Sequence, residues 1–366
     1  MKIVIACDSF KGSLDAFSVS DSVKQGIKQV WPETDVVLCP MADGGEGTAR
    51  ILTNALNGSL VTSMVHGPLM DLVKAQWGLI DNKTAVIEAA EAAGLILVDP
   101  KLRNPLKATS YGLGELIKCA LDREVDNIII GLGGSATNDG GTGMAEALGV
   151  DFLDDAFPRN GGNLGDIVSI DMSGLDTRIG DVSIQIALDV TNPLLGSRGA
   201  SHVFAPQKGA NRVQVELLEQ GMEHLALLCP HTPPDFPGAG AAGGLGWGMA
   251  AFLNAEMKTG IDLCLDILRF ESLAENADLI ITGEGFCDEQ TLQGKVSVGV
   301  ARRAKAMGIP TIVLAGDHNI PLADLGSCGI IGCYSICKDL GVSVERSIND
   351  TSNLLKELAA KIINQF

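Results

Sequence analysis

The sequence predicts an α/β protein of two domains, one built on a parallel sheet and the other of mixed α/β structure, with a ligand cleft between them. Short runs of β-branched residues alternate with helical patterns near both chain ends, as in βαβ units. Between residues 60 and 90 three closely spaced strand patterns follow one another without a helix, which is typical of a meander. Loops rich in glycine and carboxylates follow several of the predicted strands, at the sheet edge where open α/β folds bind ligands.

Composition limits the classes of function. The 366 residues are 46% hydrophobic and carry a formal net charge of −18, which indicates a well-buried globular protein and argues against a nucleic-acid-binding or anionic-membrane surface. Nine cysteines form no C-x-x-C pair and five histidines show no metal-ligand spacing. The chain starts with a strand pattern rather than a signal peptide, and no apolar run reaches the roughly 18 residues of a membrane helix. We therefore expect a cytoplasmic protein.

The most informative stretch covers residues 127–149. Three consecutive isoleucines at 128–130 predict a strand buried on both faces, and a loop of small residues then leads into a helix. Such a frame binds anions, because glycines admit a ligand close to the backbone and a helix N-terminus offers unpaired N–H donors. Asp139 would repel a phosphate unless a cation lay between them, which points to a Mg²⁺-nucleotide or to a carboxylate acting on a substrate hydroxyl. Packing alone also explains glycine-rich turns, so both interpretations stay open.

A second loop repeats this pattern. The pentapeptide Asp-Gly-Gly-x-Gly occurs at residues 43–47 and again at 139–143, each time after a predicted strand and before a predicted helix. Two such loops favour a shared site with Asp43 and Asp139. The alternative is that each aspartate caps its helix.

The order of the patterns predicts discontinuous domains. We assign residues 1–60, 95–149 and 270–366 to the parallel-sheet domain, and residues 61–94 and 150–269 to the mixed α/β domain.

Sequence motifs argue for or against several reaction classes. The Walker pattern and the nucleophile elbow are both missing from the sequence. Gly131-x-Gly133-x-x-Ala136, with Asp151 twenty residues later, fits a loose dinucleotide fingerprint, but residues 137–141 make a poor first helical turn. An NAD-dependent dehydrogenase of a small hydroxy acid is therefore an alternative, as is a non-catalytic protein that binds a small acid.

The favoured class is Mg²⁺-dependent phosphoryl transfer, because carboxylates end several predicted strands: Asp8, Asp43, Asp139, Asp189 and Glu284.

Seven segments carry a family resemblance. They are residues 8–13 (DSFKGS), 41–48 (MADGGEGT), 133–141 (GGSATNDGG), 189–193 (DVTNP), 206–210 (PQKGA), 238–244 (GAGAAGG) and 281–285 (ITGEG). Together, in order and over essentially the whole chain, they closely resemble the type I glycerate kinase family. The resemblance implies ATP- and Mg²⁺-dependent phosphorylation of D-glycerate, typically at the 2-hydroxyl. It also implies a two-domain α/β fold in which the parallel-sheet domain is flavodoxin-like.

The chain departs from the family pattern in four places. Cys7 replaces the usual proline and Leu188 a cysteine, which are packing changes. Phe286 stands where the family commonly has arginine, and this removes a possible clamp for phosphate or carboxylate. Residues 315–317 are Ala-Gly-Asp, where the family usually has Ala-Gly-Ser, so Asp317 replaces a serine.

We predict roles for the matching residues. Asp189 is the first choice for orienting or deprotonating the hydroxyl, since it ends an apolar strand and could be held by Thr191 and Asn192; the alternative is an aspartate that caps a turn. The predicted catalytic residues are Asp189, Lys11 and Asp43. The predicted cofactor-binding residues are Gly133, Gly134, Ser135, Asn138, Lys208, Gly283 and Glu284. Asp43 and Asp139 are the predicted Mg²⁺ ligands.

Overall fold

The computed structural model describes every residue except 46, 154 and 155, and the side chain of Gln293. The chain divides into two compact units, the first formed by Met1–Asp43 and Ile261–Phe366 and the second by Gly44–Gly260. The strands are β1 (Lys2–Cys7), β2 (Asp35–Leu38), β3 (Ser59–His66), β4 (Leu72–Ile80), β5 (Thr84–Glu88), β6 (Asn127–Gly131), β7 (Ser183–Leu188), β8 (Glu256–Thr259), β9 (Leu279–Cys287), β10 (Thr311–His318) and β11 (Ile330–Ser335).

The helices connect these strands. The α-helices are α1 (Ala16–Val30), α2 (Thr48–Ala55), α3 (Ala90–Ala93), α4 (Tyr111–Leu121), α5 (Thr142–Ala147), α6 (Ala200–Phe204), α7 (Arg212–Leu228), α8 (Ala241–Leu253), α9 (Gly260–Ile267), α10 (Phe270–Ala274), α11 (Val296–Ala306), α12 (Leu322–Gly326), α13 (Ile336–Leu340), α14 (Val344–Asn349) and α15 (Thr351–Ile363). Short 3-10 helices cover Leu95–Leu97, Leu164–Asp166, Thr177–Asp181, Pro206–Lys208 and Glu289–Gln293. Within the described residues, no helix is both long enough and apolar enough to span a membrane.

The first unit is a five-stranded parallel sheet in the order β11-β10-β9-β1-β2. Counted along the chain within this unit, that order is 2-1-3-4-5, the flavodoxin-like arrangement, so the predicted fold class is confirmed. Strand β1, an interior strand of the sheet, is buried from Ile3 to Cys7, because helices cover both faces of the sheet. The strand order reverses between β1 and β9, and this switch point is where such folds bind ligands.

Helices α1 and α15 pack together on one face of this sheet. Asp15 caps α1 by accepting a hydrogen bond from Ser18 N at 2.9 Å, and the apolar stripe of α1 joins the core beside α15. Gly26 makes the close crossing possible, since a Cβ there would lie 2.2 Å from the Lys356 carbonyl oxygen. Helix α11 contacts β9 and β10 and contributes Val298 and Ala301 to a separate core with residues of β10 and β11.

The second unit is a six-stranded mixed sheet in the order β3-β4-β5-β6-β7-β8. Strands β3, β4 and β5 form the predicted antiparallel meander, and β5 to β8 are parallel. At the carboxyl end of the parallel part, Gly131 of β6 is in register with Glu88 of β5 and Ala187 of β7. The loops that follow β6 and β7 therefore leave the sheet side by side.

The predicted domain boundaries need correction. Strand β6, which the sequence assigned to the parallel-sheet domain, pairs with β5 and β7, so residues 44–60 and 95–149 belong to the second unit. Residues 261–269 belong to the first unit. A strand that is apolar on both faces fits the interior of any parallel sheet, and its sequence pattern carries no information about its partners.

Candidate active site

Each unit has a cavity at the carboxyl ends of its parallel strands. The cavity of the second unit, of about 240 Å³, is called the lysine pocket. Its lining residues are Leu95, Leu132, Gly133, Gly134, Ser135, Ala187, Leu188, Asp189, Val190, Phe204, Gln207, Lys208, Ala241 and Ala242. The cavity of the first unit, of about 360 Å³, is called the acidic pocket. Its lining residues are Asp8, Ser9, Phe10, Lys11, Ser13, Asp43, Glu284, Gly285, Phe286, Lys295, Gly316, Asp317, Cys337, Val344, Ser347, Ile348 and Thr351.

The glycine loop of the lysine pocket follows β6. Gly134 has a φ of +73°, a backbone conformation that favours glycine. Its carbonyl accepts a hydrogen bond from Leu95 N at 2.8 Å, and Ala136 N donates to the Ala93 carbonyl at 2.7 Å. These bonds fix the loop against the 93–95 segment, and Gly133, Gly134 and Ser135 line the pocket. Their role in binding an anion stays a prediction.

Lys208 lies at the base of this loop. Its side chain is only 2% exposed, and its Nζ donates to Ser135 Oγ at 2.9 Å and to the Thr137 carbonyl at 2.6 Å. Burial lowers the pKa of Lys208 to about 7, against the smaller opposing effect of Asp139. Both hydrogen-bond acceptors are uncharged oxygens, so a bound anion would stabilise the ammonium form.

Asp189 lines the same pocket, one residue beyond β7, and is exposed. Gly44 approaches this strand end closely, since a Cβ on Gly44 would lie 2.8 Å from Ala187 Cβ and 3.7 Å from Asp189 Oδ1. Asn192, which we expected to support Asp189, donates its Nδ2 hydrogen bond to the Arg198 carbonyl at 2.8 Å. Its amide therefore closes the loop after β7. The structure thus brings Asp189, Lys208 and Ser135 to one cavity from three separate segments.

Two other predicted residues are deeply buried in the second unit. Asp139 is 0% exposed; its Oδ2 accepts hydrogen bonds from the backbone N and Oγ of Ser110, both at 2.7 Å, and its Oδ1 accepts one from Gly141 N at 3.2 Å. Burial raises its pKa despite these bonds. Asn138 donates its Nδ2 hydrogen bond to Ser201 Oγ at 3.2 Å. Asp139 therefore connects Ser110 and Gly141, the residues that precede α4 and α5. The Mg²⁺ role of Asp139 and the cofactor role of Asn138 stay predictions.

The acidic pocket lies at the switch point of the first sheet. Asp8 follows β1, and Glu284 and Asp317 lie near the ends of β9 and β10. Burial, with the nearby Asp43 carboxylate, raises the pKa of Asp8 to about 7. Lys11 Nζ lies 3.5 Å from Asp43 Oδ2, which brings two of the predicted catalytic residues together.

Glu284 of this pocket is paired with a lysine that the sequence analysis missed. Lys295 Nζ lies 3.3 Å from Glu284 Oε2 and 3.4 Å from Asp288 Oδ1. Burial raises the pKa of Glu284. Burial acts to lower the pKa of Lys295, but the carboxylates of Glu284 and Asp288 together outweigh it, so the pKa of Lys295 is raised. Lys295 is the N-cap residue of α11, where the helix dipole disfavours a cation. The sequence signal that could have identified Lys295 is a lysine at the start of a helical pattern, soon after the carboxylate of Glu284 near a strand end.

Gly283 has a packing role that its sequence motif did not indicate. It pairs with Cys7 of β1 and Leu314 of β10, and a Cβ there would lie 2.2 Å from the Leu314 carbonyl oxygen. Its predicted contact with a cofactor stays a prediction. Residue 46 of the first Asp-Gly-Gly-x-Gly loop lies outside the described residues.

The described residues contain no group of three or more histidine, cysteine, aspartate or glutamate side chains placed to hold a metal ion. Mg²⁺ does not require such a group, because it commonly binds through one or two carboxylates together with substrate phosphates and water. Asp8, Asp43 and Glu284 line the acidic pocket with carboxylates, the ligand type that Mg²⁺ prefers.

Comparison with known proteins gives a consistent result. The family model described as "Glycerate kinase family" matches residues 3–366. A glycerate kinase of Bacillus subtilis (strain 168) is 48% identical over 344 residues, 92% of this chain and 90% of that protein. A glycerate 2-kinase of Escherichia coli (strain K12) is 44% identical over 349 residues, 93% of this chain and 92% of that protein.

A solved structure agrees with these relatives. A crystal structure from Salmonella typhimurium LT2, provisionally assigned as a glycerate kinase 2, is 42% identical with a TM-score of 0.89, covering 100% of this chain and 98% of that one. The dehydrogenase and the non-catalytic binding protein, the two alternatives from the sequence, are therefore set aside. The chain is an enzyme that belongs to the glycerate kinase family.

Proposed function

We propose that this protein transfers the γ-phosphoryl group of ATP to the 2-hydroxyl of D-glycerate, giving ADP and 2-phospho-D-glycerate with the assistance of Mg²⁺. Family membership supports the choice of glycerate as acceptor, and the Escherichia coli relative named glycerate 2-kinase supports the position of transfer. The observation that carries the proposal is the lysine pocket, where an exposed carboxylate, a buried lysine and a glycine loop line one cavity.

The lysine pocket supplies the groups that phosphoryl transfer needs. Lys208, held by Ser135, attracts an anionic group of a substrate, and Gly133 and Gly134 allow that group to approach the backbone. Asp189 accepts the hydrogen bond of the attacking hydroxyl and takes its proton as the O–P bond forms. Because this reaction has little covalent chemistry for a protein to perform, positioning and charge account for most of the catalysis.

The acidic pocket supplies oxygen ligands and two lysines. We propose that Asp43 binds Mg²⁺ directly or through water and that Glu284 lines the nucleotide site, with Lys11 and Lys295 balancing their charge. Bound Mg²⁺ would neutralise charge on the β- and γ-phosphates. The small number of converging carboxylates suits an ion that arrives with the nucleotide.

Phosphorus NMR with proton coupling retained tests the reaction. The purified protein is incubated with D-glycerate, ATP and Mg²⁺, and we expect a new phosphate signal that grows together with ADP. A doublet identifies an ester on the carbon with one hydrogen and supports the 2-kinase. A triplet would move the transfer to the 3-hydroxyl, and the lack of any new ester while D-glycerate still binds would contradict the proposed reaction.

A further inference from the structure

The acidic pocket is lined in part by exposed apolar side chains that the proposed reaction does not use. Phe286 of β9 is 45% exposed, and Val344 and Ile348 of α14 are 57% and 50% exposed; all three line this one cavity. Val344 and Ile348 are four residues apart, so they lie on the same face of the helix. Single exposed apolar side chains are common, whereas several around one concave site indicate a ligand with an apolar part.

The other lining residues of the pocket include several carboxylates. Asp8, Asp43, Glu284 and Asp317 contribute carboxylates, against the ammonium groups of Lys11 and Lys295. This excess of negative charge disfavours an anionic ligand group that comes without a cation. It favours an uncharged group that donates hydrogen bonds, such as a hydroxyl or an exocyclic amine.

Of the two proposed substrates, only ATP has an uncharged part that combines an apolar surface with hydrogen-bond donors. D-Glycerate is a small anion without an apolar surface, whereas the adenosine half of ATP is uncharged, has a flat ring system and carries hydroxyl and amine donors. A cavity of about 360 Å³ lies within the size range of small-molecule sites. Its place at the switch point of a 2-1-3-4-5 sheet is where this fold class binds nucleotides.

We propose that the acidic pocket binds the nucleoside part of ATP, with the base stacked on Phe286 and covered by Val344 and Ile348. Asp317, which pairs with Phe286 across β9 and β10, accepts hydrogen bonds from the ribose hydroxyls. This inference rests on the proposed function for the identity of the nucleotide. Phe286 then determines nucleotide affinity in this chain, at a position where the family commonly has an arginine.

Substitution of Phe286 tests the stacking contact. Phe286→Ala should raise the KM for ATP about tenfold, with the KM for D-glycerate and kcat nearly unchanged, because stacking on the base is made equally before and during the transfer. Phe286→Tyr keeps the ring and should retain the affinity for ATP. Leu322→Ala is the matched control, since Leu322 is an exposed apolar side chain of the same unit that does not line the pocket.

Calorimetric titration with ADP and with adenosine gives a readout independent of catalysis. Phe286→Ala and the double variant Val344→Ala/Ile348→Ala should each weaken the binding of both ligands about tenfold, and thermal unfolding checks that the variants are folded. Unchanged binding of ADP and adenosine in both variants would overturn the proposal, as would a change confined to D-glycerate. If the wild-type protein forms no phosphoglycerate but binds adenosine in a Phe286-dependent way, the nucleoside site stands and the proposed reaction fails.

Discussion

Lys208 and Ser135 are hydrogen-bonded inside the second unit, with Lys208 Nζ 2.9 Å from Ser135 Oγ. The lysine comes from a 3-10 helix and the serine from the loop after β6, 73 residues earlier in the chain. The pair puts a buried cation directly at a glycine loop, beside the exposed carboxylate of Asp189. This arrangement makes the proposed chemistry open to direct test.

Replacement of Asp189 by asparagine should lower kcat by a factor of roughly 10² to 10⁴. The amide cannot take the proton of the hydroxyl, while its shape is preserved. Since Asp189 is exposed, the temperature of unfolding should not change. Steady-state kinetics measure the effect, and Asp235→Asn, an exposed aspartate that lines neither pocket, serves as the control. Near wild-type turnover in Asp189→Asn would remove this residue from the proposed role.

The affinity for D-glycerate should fall as the pH rises through about 7. Lys208 has a pKa of about 7 in the free protein, so it is charged below that value and loses its charge above it. If a substrate anion binds the ammonium form, each further pH unit weakens binding about tenfold until the pH reaches the raised pKa of Lys208 in the complex, above which the affinity levels off. Isothermal titration with D-glycerate, which stays ionised throughout, measures the slope.

Lys208→Met supplies the comparison for this pH dependence. The variant cannot carry the charge, so its binding should be weak and nearly independent of pH between 6 and about 9. If the affinity of Lys208→Met falls equally steeply with pH, another group is responsible for the titration. Asp8, whose pKa is raised to about 7, would then be the leading candidate.

Asp139→Asn should destabilise the fold by about 2–4 kcal/mol. The carboxylate accepts three hydrogen bonds, from Ser110 N, Ser110 Oγ and Gly141 N, and an amide would place donors against some of these donors. Urea unfolding in the presence of a chelator measures the effect without a contribution from Mg²⁺. Unchanged stability under these conditions would contradict a structural role for these three hydrogen bonds.

Gly243→Ala should cost at least about 2 kcal/mol of stability. Gly243 has a φ of +73°, and a Cβ there would lie 2.0 Å from the Thr137 carbonyl oxygen. Because that carbonyl also accepts a hydrogen bond from Lys208, we expect the binding of D-glycerate to weaken as well. Gly165→Ala is the control, since its Cβ would meet nothing within 4 Å. Equal stability of the two variants would show that the 137–139 backbone can move without cost.

The sequence alone determined where several strands lie and which types of polar residue follow them. The isoleucines at 128–130 predicted a buried strand, the spacing between residues 60 and 90 predicted the meander, and both are confirmed. The family resemblance was equally clear from seven short segments and is confirmed over residues 3–366. Local patterns are readable because burial on one or two faces dictates which residue types a strand contains.

Only the tertiary structure decided which strands share a sheet and which polar groups meet. Strand β6 was placed in the wrong domain because its apolar residues fit any parallel sheet, and only the register with Glu88 and Ala187 identifies its neighbours. Asp139 matched the loop motif of Asp43, yet it is buried under three hydrogen bonds while Asp43 lines a cavity. The pairing of Lys208 with Ser135, and of Lys295 with Glu284, depends on contacts between segments distant in the chain, which a linear pattern does not contain.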